Sequence, residues 1–454
     1  MSELANWIDT VATALFLYVV VGVLLLTGLI LTIRLGVVQL RRLPEAFRAM
    51  VAQQSAGATG GALSPFQAFM TALGASIGTG HIAGVATAII SGGPGALFWI
   101  WVYGFLATAI KFSEAVLGVK FRRMRGTESM SGPMYYLRDG LKSPALAWIY
   151  ALVAGVAALT TTPFTQPNSI AVALESVFHI PTWIAGIAIA VLVWVVIIGG
   201  IQSIGRAAEK LAPLKVFLYL AGGLIVIVTH AGNLPAVLST VVREAFSLKA
   251  AAGTAAGAGV FMALRYGIAR GVYANEAGYG TAAVAYGTAK TTDPSQQGLQ
   301  AVMEVFIVSF VTSTISALTI LVSGVAQHSI ETIRAGGEGL KATAAVASAF
   351  NTAMPTFGGW IVAFCAFLFG YTTLIGWAYY GEQFLEYILG RRVTVPYRWI
   401  YCLLIPIGAT LKVDLVWNWG DLMNALQVFP NIIGLIGLSG IAAAYARSRS
   451  TTSR

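Results

Sequence analysis

Apolar runs of about twenty residues recur along nearly the whole of this chain, and each is long enough to cross a bilayer as a helix. They fall at about residues 13–34, 65–91, 94–119, 145–174, 181–200, 211–229, 250–269, 302–322, 357–385, 399–411 and 422–444. Composition agrees. The 454 residues are 57% hydrophobic and only 10% charged, with mean hydropathy +0.77. A soluble domain carries about 25% charged residues, so a soluble fold of this size could not cover its own surface. The expected class is an all-α polytopic membrane protein of about 11 spans.

The basic residues test that reading. With the N-terminus outside, the inside segments hold Arg34, Arg41, Arg42, Arg48, Lys120, Arg122, Arg123, Arg125, Arg138, Lys142, Arg206 and Lys210. They also hold Arg265, Arg270, Lys290, Arg391, Arg392, Arg398, Arg447, Arg449 and Arg454. The outside segments hold only Arg243, Lys249, Arg334, Lys341 and Lys412, while Lys111 and Lys215 fall within spans. Every inside segment is basic, as the positive-inside rule requires. The net charge of +10 therefore faces anionic lipid and cytoplasm, not nucleic acid. The acidic start, MSELANWIDT, argues against a cleaved signal peptide. Cys365 and Cys402 lie in apolar runs and read as packing residues; the four scattered histidines have no metal spacing. VVQLRRLPEAFRAM reads as a short interfacial helix.

Two spans are interrupted by glycine. The second holds Gly74, Gly78, Gly80 and Gly84; the seventh holds Gly253, Gly257, Gly259 and Gly267. Glycine costs about 1 kcal/mol in a helix interior. Two such spans at matching positions point to a transporter's binding site, where freed backbone lines a wet cavity. Spans two to six and seven to eleven each open with a Gly-rich helix, and an odd count of five inverts the second set. The expected organisation is an N-terminal helix and amphipathic segment at 1–64, five-helix repeats at 65–229 and 230–447, and a basic tail at 448–454. Close packing through small residues is the competing explanation for both glycine clusters.

A zwitterion needs donors for its carboxylate and acceptors for its ammonium. Gly78, Thr79 and Gly80 offer N–H groups where a half-helix would begin. Gln166 and Asn168 are amides beside Pro163 and Pro167; a substrate contact at Gln166 competes with plain interhelical bonding. Thr372 and Thr373 are adjacent hydroxyls of the kind a hard cation takes, unless they bond back to the preceding turn. Trp377 either walls a pocket or fills core. Asn275 and Glu276 read as a gate or as a helix cap. Lys111, Glu114, Glu304 and Glu382 need partners within the membrane, and Lys111 and Glu114, one turn apart, are expected to pair.

GTGHIAGVATAI, GGPGALFWIW, SGPMYYLRDGL, QPNSIA, RGVYANEAGYGTA and TTLIGWAYYGE, running from Gly74 to Glu382, together resemble the alanine/glycine:cation symporters. That family is similar to the leucine-transporter-type fold, whose inverted repeat matches the one inferred above. The resemblance implies a sodium-coupled importer of alanine or glycine in a prokaryotic plasma membrane, with no cofactor beyond the coupling ion. It implies cation binding at Gly74, Ile77, Thr372 and Thr373, and substrate binding at Gly78, Thr79, Gly80, Gln166, Met262 and Trp377. Two stretches depart from the family. His81 stands where asparagine is usual, and Tyr279 and GTAAVAYG replace a more usual GLGSAPIAHA. His81 bears on substrate size, cation dependence or pH response, or is a helix-terminal histidine bonded to a carbonyl.

Proton coupling through His81 or an intramembrane glutamate is the rival within the class. An enzyme would need a nucleophile–base pair or converging metal ligands; a channel would need a repeated filter or charged rings. Neither pattern is present in the sequence. The expected partners are a small amino acid, sodium and lipid, and a monomer is favoured.

Overall fold

The computed structural model describes residues 11, 14–50, 60–126, 128–247, 258–337, 339–340 and 342–448. Most of them are helical, and β1 (Arg123–Arg125) pairs with β2 (Glu128–Met130) in a short antiparallel hairpin. The main helices are α1 (Val21–Arg34), α2 (Pro65–Ser76), α3 (Ala83–Gly92), α4 (Ala96–Phe121), α5 (Pro144–Thr160), α6 (Thr162–Phe178), α7 (Thr182–Ile197) and α8 (Gly200–Thr229). They continue with α9 (Ala258–Asn275), α10 (Thr281–Gly287), α11 (Pro294–Val322), α12 (Phe357–Leu389), α13 (Thr394–Thr410), α14 (Val413–Gly437) and α15 (Ser439–Arg447).

Among the described residues, α4, the α5–α6 stretch, α8, α11 and α12 are each long and apolar enough to span a membrane. Two bent pairs extend the set to seven: α2 with the segment Thr79–Gly92, bent by 57°, and α14 with α15, bent by 60°. Local chemistry sets where α2 begins. Ser64 Oγ accepts from Gln67 N at 3.1 Å, Gln67 Oε1 accepts from Ser64 N at 3.2 Å, and Pro65 takes the first helical position.

α12 is the central post, buried over most of its 33 residues. It runs unbroken through Gly376, where a Cβ would sit 2.8 Å from the Cβ of Ala75; the glycine serves close approach to α2. α8 lies against both α2 and α12, and α4 lies against α9 and α11.

Three expectations are corrected. The seventh span was expected at 250–269, broken among its glycines. Gly253 and Gly257 lie outside the described residues, but Gly259 and Gly267 sit in continuous helix, and the break comes later, at 276–280. The reason is packing: a Cβ at Gly267 would meet the Ala96 carbonyl oxygen at 2.4 Å, so this glycine lets α9 lie on α4. Second, Lys111 pairs with Glu304 of α11 at 2.6 Å and not with Glu114. Third, α11 starts at Pro294, ahead of the expected 302, because Gln296, Gln297 and Gln300 are buried in protein and lower the hydropathy of its first turns.

Candidate functional site

α2 stops where the glycines of the second span predict. Ile77 leaves the helical region, Gly78 is extended, and Thr79–His81 forms a single tight turn before α3. The freed groups find partners on neighbouring helices, as backbone in a membrane must. Gln166 Oε1, on α6, accepts from Thr79 N at 3.1 Å and from Thr79 Oγ1 at 3.0 Å. Thr373 Oγ1, on α12, donates to the Ala75 carbonyl at 2.7 Å. A side chain at Gly78 would have to displace its neighbours: a Cβ there would lie 2.8 Å from Thr373 Oγ1 and 2.9 Å from Gln166 Oε1.

The second break, at 276–280 between α9 and α10, is held from several sides. Glu276 adopts φ 55°, a left-handed conformation uncommon for a residue with a side chain. Its carboxylate accepts from Trp377 Nε1 at 2.6 Å and from Thr281 Oγ1 at 2.9 Å. Glu114, on α4, accepts from Gly278 N at 2.9 Å and Gly280 N at 3.1 Å. Asn431, on α14, donates to the same Glu114 carboxylate and to the Gly278 carbonyl, both at 2.8 Å. Tyr150 donates to the Tyr279 carbonyl at 2.7 Å. Gly280 needs to be glycine twice over, with φ 86° and Pro133 Cγ 2.3 Å from any Cβ.

Beside the first break lies a group that the sequence reading left aside. Lys215, in the middle of α8, is fully buried. Its ammonium donates to the Gly74 carbonyl at 2.9 Å, the Ile77 carbonyl at 2.6 Å and Thr372 Oγ1 at 2.5 Å. These are three of the four groups expected to hold sodium. A covalently tethered amine stands against the oxygens where a free cation was expected. The fourth, Thr373, is 3.4 Å from the Gly74 carbonyl and faces the cavity. The signal was in the sequence: a lone lysine inside an apolar span is a functional candidate by default.

The two breaks enclose a cavity of about 20 Å³, lined on the α2–α3 side by Ser76, Gly78, Gly80 and His81. Glu276 and Tyr279 of the second break, Tyr273, Gln166, Thr161, Thr162, Thr373, Trp377 and Asn424 complete its polar and aromatic wall. Of the expected substrate residues, Gly78, Gly80, Gln166 and Trp377 converge here, and Thr79 stands behind Gln166. Met262 does not: its carbonyl lies against Gly92, at the far end of α3. Asn168 bonds the Gly408 and Leu411 carbonyls, and Asn275 bonds the Gly271 carbonyl and Ser309; neither lines the cavity. The hydroxyl of Tyr279 is buried with no partner among the described residues, so it stands ready for a polar guest, and the buried His81 ring lines the same cavity. Tyr273, Thr161, Thr162 and Asn424 escaped the sequence reading because nothing local to them marks a cavity.

A site between two helices broken at mid-length is a transporter's arrangement. The sodium:alanine symporter family profile matches residues 1–452 of this chain. The chain belongs to that family. It is thus a membrane transporter and not an enzyme. Among its relatives, the sodium/alanine symporter AgcS of Methanococcus maripaludis is 37% identical over 94% of this chain and 92% of its own length. The amino-acid carrier protein AlsT of Bacillus subtilis is 31% identical over 94% of this chain and 87% of its own length. Among solved structures, MhsT in complex with L-phenylalanine superposes with TM-score 0.60 at 14% identity, covering 86% of this chain and 99% of that one. This symporter therefore has the leucine-transporter-type fold.

Proposed function

We propose that this symporter imports a small neutral amino acid, alanine or glycine, by alternating access in a prokaryotic plasma membrane, driven by a cation gradient. The observation that carries the reading is the small cavity between the two helix breaks, lined by His81, Gln166, Glu276, Thr373 and Trp377. The substrate carboxylate is received at the start of the α2–α3 turn, at the favourable end of the half-helix dipole, where it takes over the Thr79 N–H that Gln166 Oε1 otherwise accepts. The ammonium faces the Glu276 carboxylate and carbonyls of the second break, and Trp377 closes the pocket against longer side chains. Sodium is the ion in the name of the relative AgcS, and the oxygens expected to hold it, at Gly74, Ile77 and Thr372, are the ones that Lys215 contacts.

The same reading carries the architecture: eleven spans, with one N-terminal helix ahead of two inverted five-helix repeats, about 65–229 and 230–447. Each repeat opens with its broken helix, α2–α3 and α9–α10. The N-terminus lies outside and the C-terminus in the cytoplasm, and Arg265 and Arg270, which now fall within α9, leave Lys290 as the basic residue of its inner end. The test is counterflow of labelled alanine in proteoliposomes, with glycine and leucine as competitors. Exchange blocked by glycine but not by leucine supports the reading; absence of exchange with either small amino acid removes it.

A further inference from the structure

We infer that the Lys215 ammonium is the resident cation of the site framed by Gly74, Ile77 and Thr372, so that a proton carried on Nζ does there what a bound sodium ion would do. The inference rests on the transport reading above and names its coupling ion. The geometry is matched in number: an ammonium has three N–H donors, and three oxygens receive them. Those oxygens come from the broken end of α2 and from the middle of α12. The ammonium thus ties the moving half-helix to the central post, the task of a bridging cation. A sodium ion needs the same oxygens at similar distances, and two cations sharing them would repel strongly in a water-poor interior.

Among the described residues, the surroundings leave that charge without a carboxylate of its own. α2, α7, the helix Ala342–Ala353 and the Ser313–Val322 part of α11, all packed on α8, carry no Asp, Glu, Lys, Arg or His. α12 presents the face of Phe369, 5.3 Å from Nζ, while its carboxylates Glu382 and Glu386 pair with Arg398 and Arg125. Cys365 of α12 faces Tyr219, one turn along α8 from Lys215. The ionisable groups that sense Lys215 are His81 in the α2–α3 turn and Glu276 at the second break, and both line the cavity. A proton therefore has titratable neighbours on the cavity side of Lys215 and apolar helix on the other.

The step balances simply. A proton from outside water joins the lone pair of the neutral amine, giving the third donor and the charge that draw the Gly74 and Ile77 carbonyls onto Thr372. Release of that proton to inside water restores the amine, with two donors for three oxygens and no charge, and frees α2 from α12. Nothing is oxidised or reduced.

The test uses the full-length protein in proteoliposomes and labelled alanine. In sodium-free choline buffer, an inward pH gradient is expected to drive accumulation by about tenfold per pH unit at one-to-one coupling. A sodium gradient at equal pH is expected to add nothing. Lys215→Met and Lys215→Arg, neither of which cycles a proton, are expected to lose pH-driven accumulation. Accumulation that requires sodium and ignores the pH gradient overturns the inference, as does pH-driven accumulation that survives in Lys215→Met. If neither variant inserts, the wild type alone decides: alanine added to lightly buffered, sodium-free vesicles acidifies the lumen if the inference holds and leaves it unchanged if it fails. Counterflow without proton movement leaves the transport reading standing while removing Lys215 as carrier, so the two failures are distinguishable.

Discussion

Gly78 is the tightest single residue of the cavity, because hydroxyl and amide oxygens already stand where its side chain would go. Gly78→Ala is expected to cut alanine counterflow at least about tenfold, through overpacking of about 1–3 kcal/mol, while the protein still reaches the membrane. Uptake by membrane vesicles normalised to protein level checks this. Trp377→Phe keeps the ring but removes the donor to Glu276. It leaves a buried carboxylate oxygen unpaired, at a cost of about 1–3 kcal/mol, and is expected to raise KM for alanine and lower the melting temperature in detergent together. An unchanged KM would take Trp377 out of the pocket wall. Legibility at this scale followed local chemistry. Gln166 between two prolines, the Gly78–Gly80 cluster and the adjacent hydroxyls Thr372 and Thr373 are visible in any reading of the chain. Lys215 is equally visible, but the oxygens that receive its ammonium lie over a hundred positions away on both sides, and only folding reveals them.

Broken helices in a membrane stand or fall with the partners of their freed peptide groups. At 276–280 those partners converge on Glu114, which takes two N–H groups and the Asn431 amide. Glu114→Ala leaves two buried donors unsatisfied and is expected to destabilise the protein by about 1–3 kcal/mol for each, visible as a lower detergent melting temperature. Exchange is expected to fall with it, because Glu276 and Tyr279 belong to the same segment. A melting temperature equal to wild type would show that the break holds without Glu114. Glycine count marked the α2–α3 break correctly and misplaced the later one. The reason is that glycine serves two opposite ends: Gly267 lets a continuous helix lie on Ala96, whereas Gly278 and Gly280 adopt φ of 97° and 86° in a true interruption. Sequence spacing does not separate these uses; the surface that faces each glycine does.

Across the whole molecule, α4 is fastened to α2, α10 and α11 by one buried polar cluster. Lys111 and Ser76 both donate to Glu304 Oε1, and Tyr286 donates to Oε2 at 2.9 Å. Breaking one member of a buried pair leaves an uncompensated charge, typically costing about 3–5 kcal/mol. Lys111→Met and Glu304→Gln are each expected to reduce stability sharply, and the double variant to recover much of the loss. Additive losses in a thermal double-mutant cycle would show that the two residues act separately. The amino-acid sequence by itself determined that this chain is a membrane protein and that one helix breaks at Gly78. Each of those follows from hydropathy or backbone freedom, which are properties of a residue and its close neighbours. The tertiary structure alone decided that Lys111 reaches Glu304 instead of Glu114, that the second break falls at 276–280, and that a lysine ammonium fills the oxygens expected to hold sodium. Each of these depends on which distant groups share a small, water-poor volume, and such pairings are energetically forced only after the helices have packed.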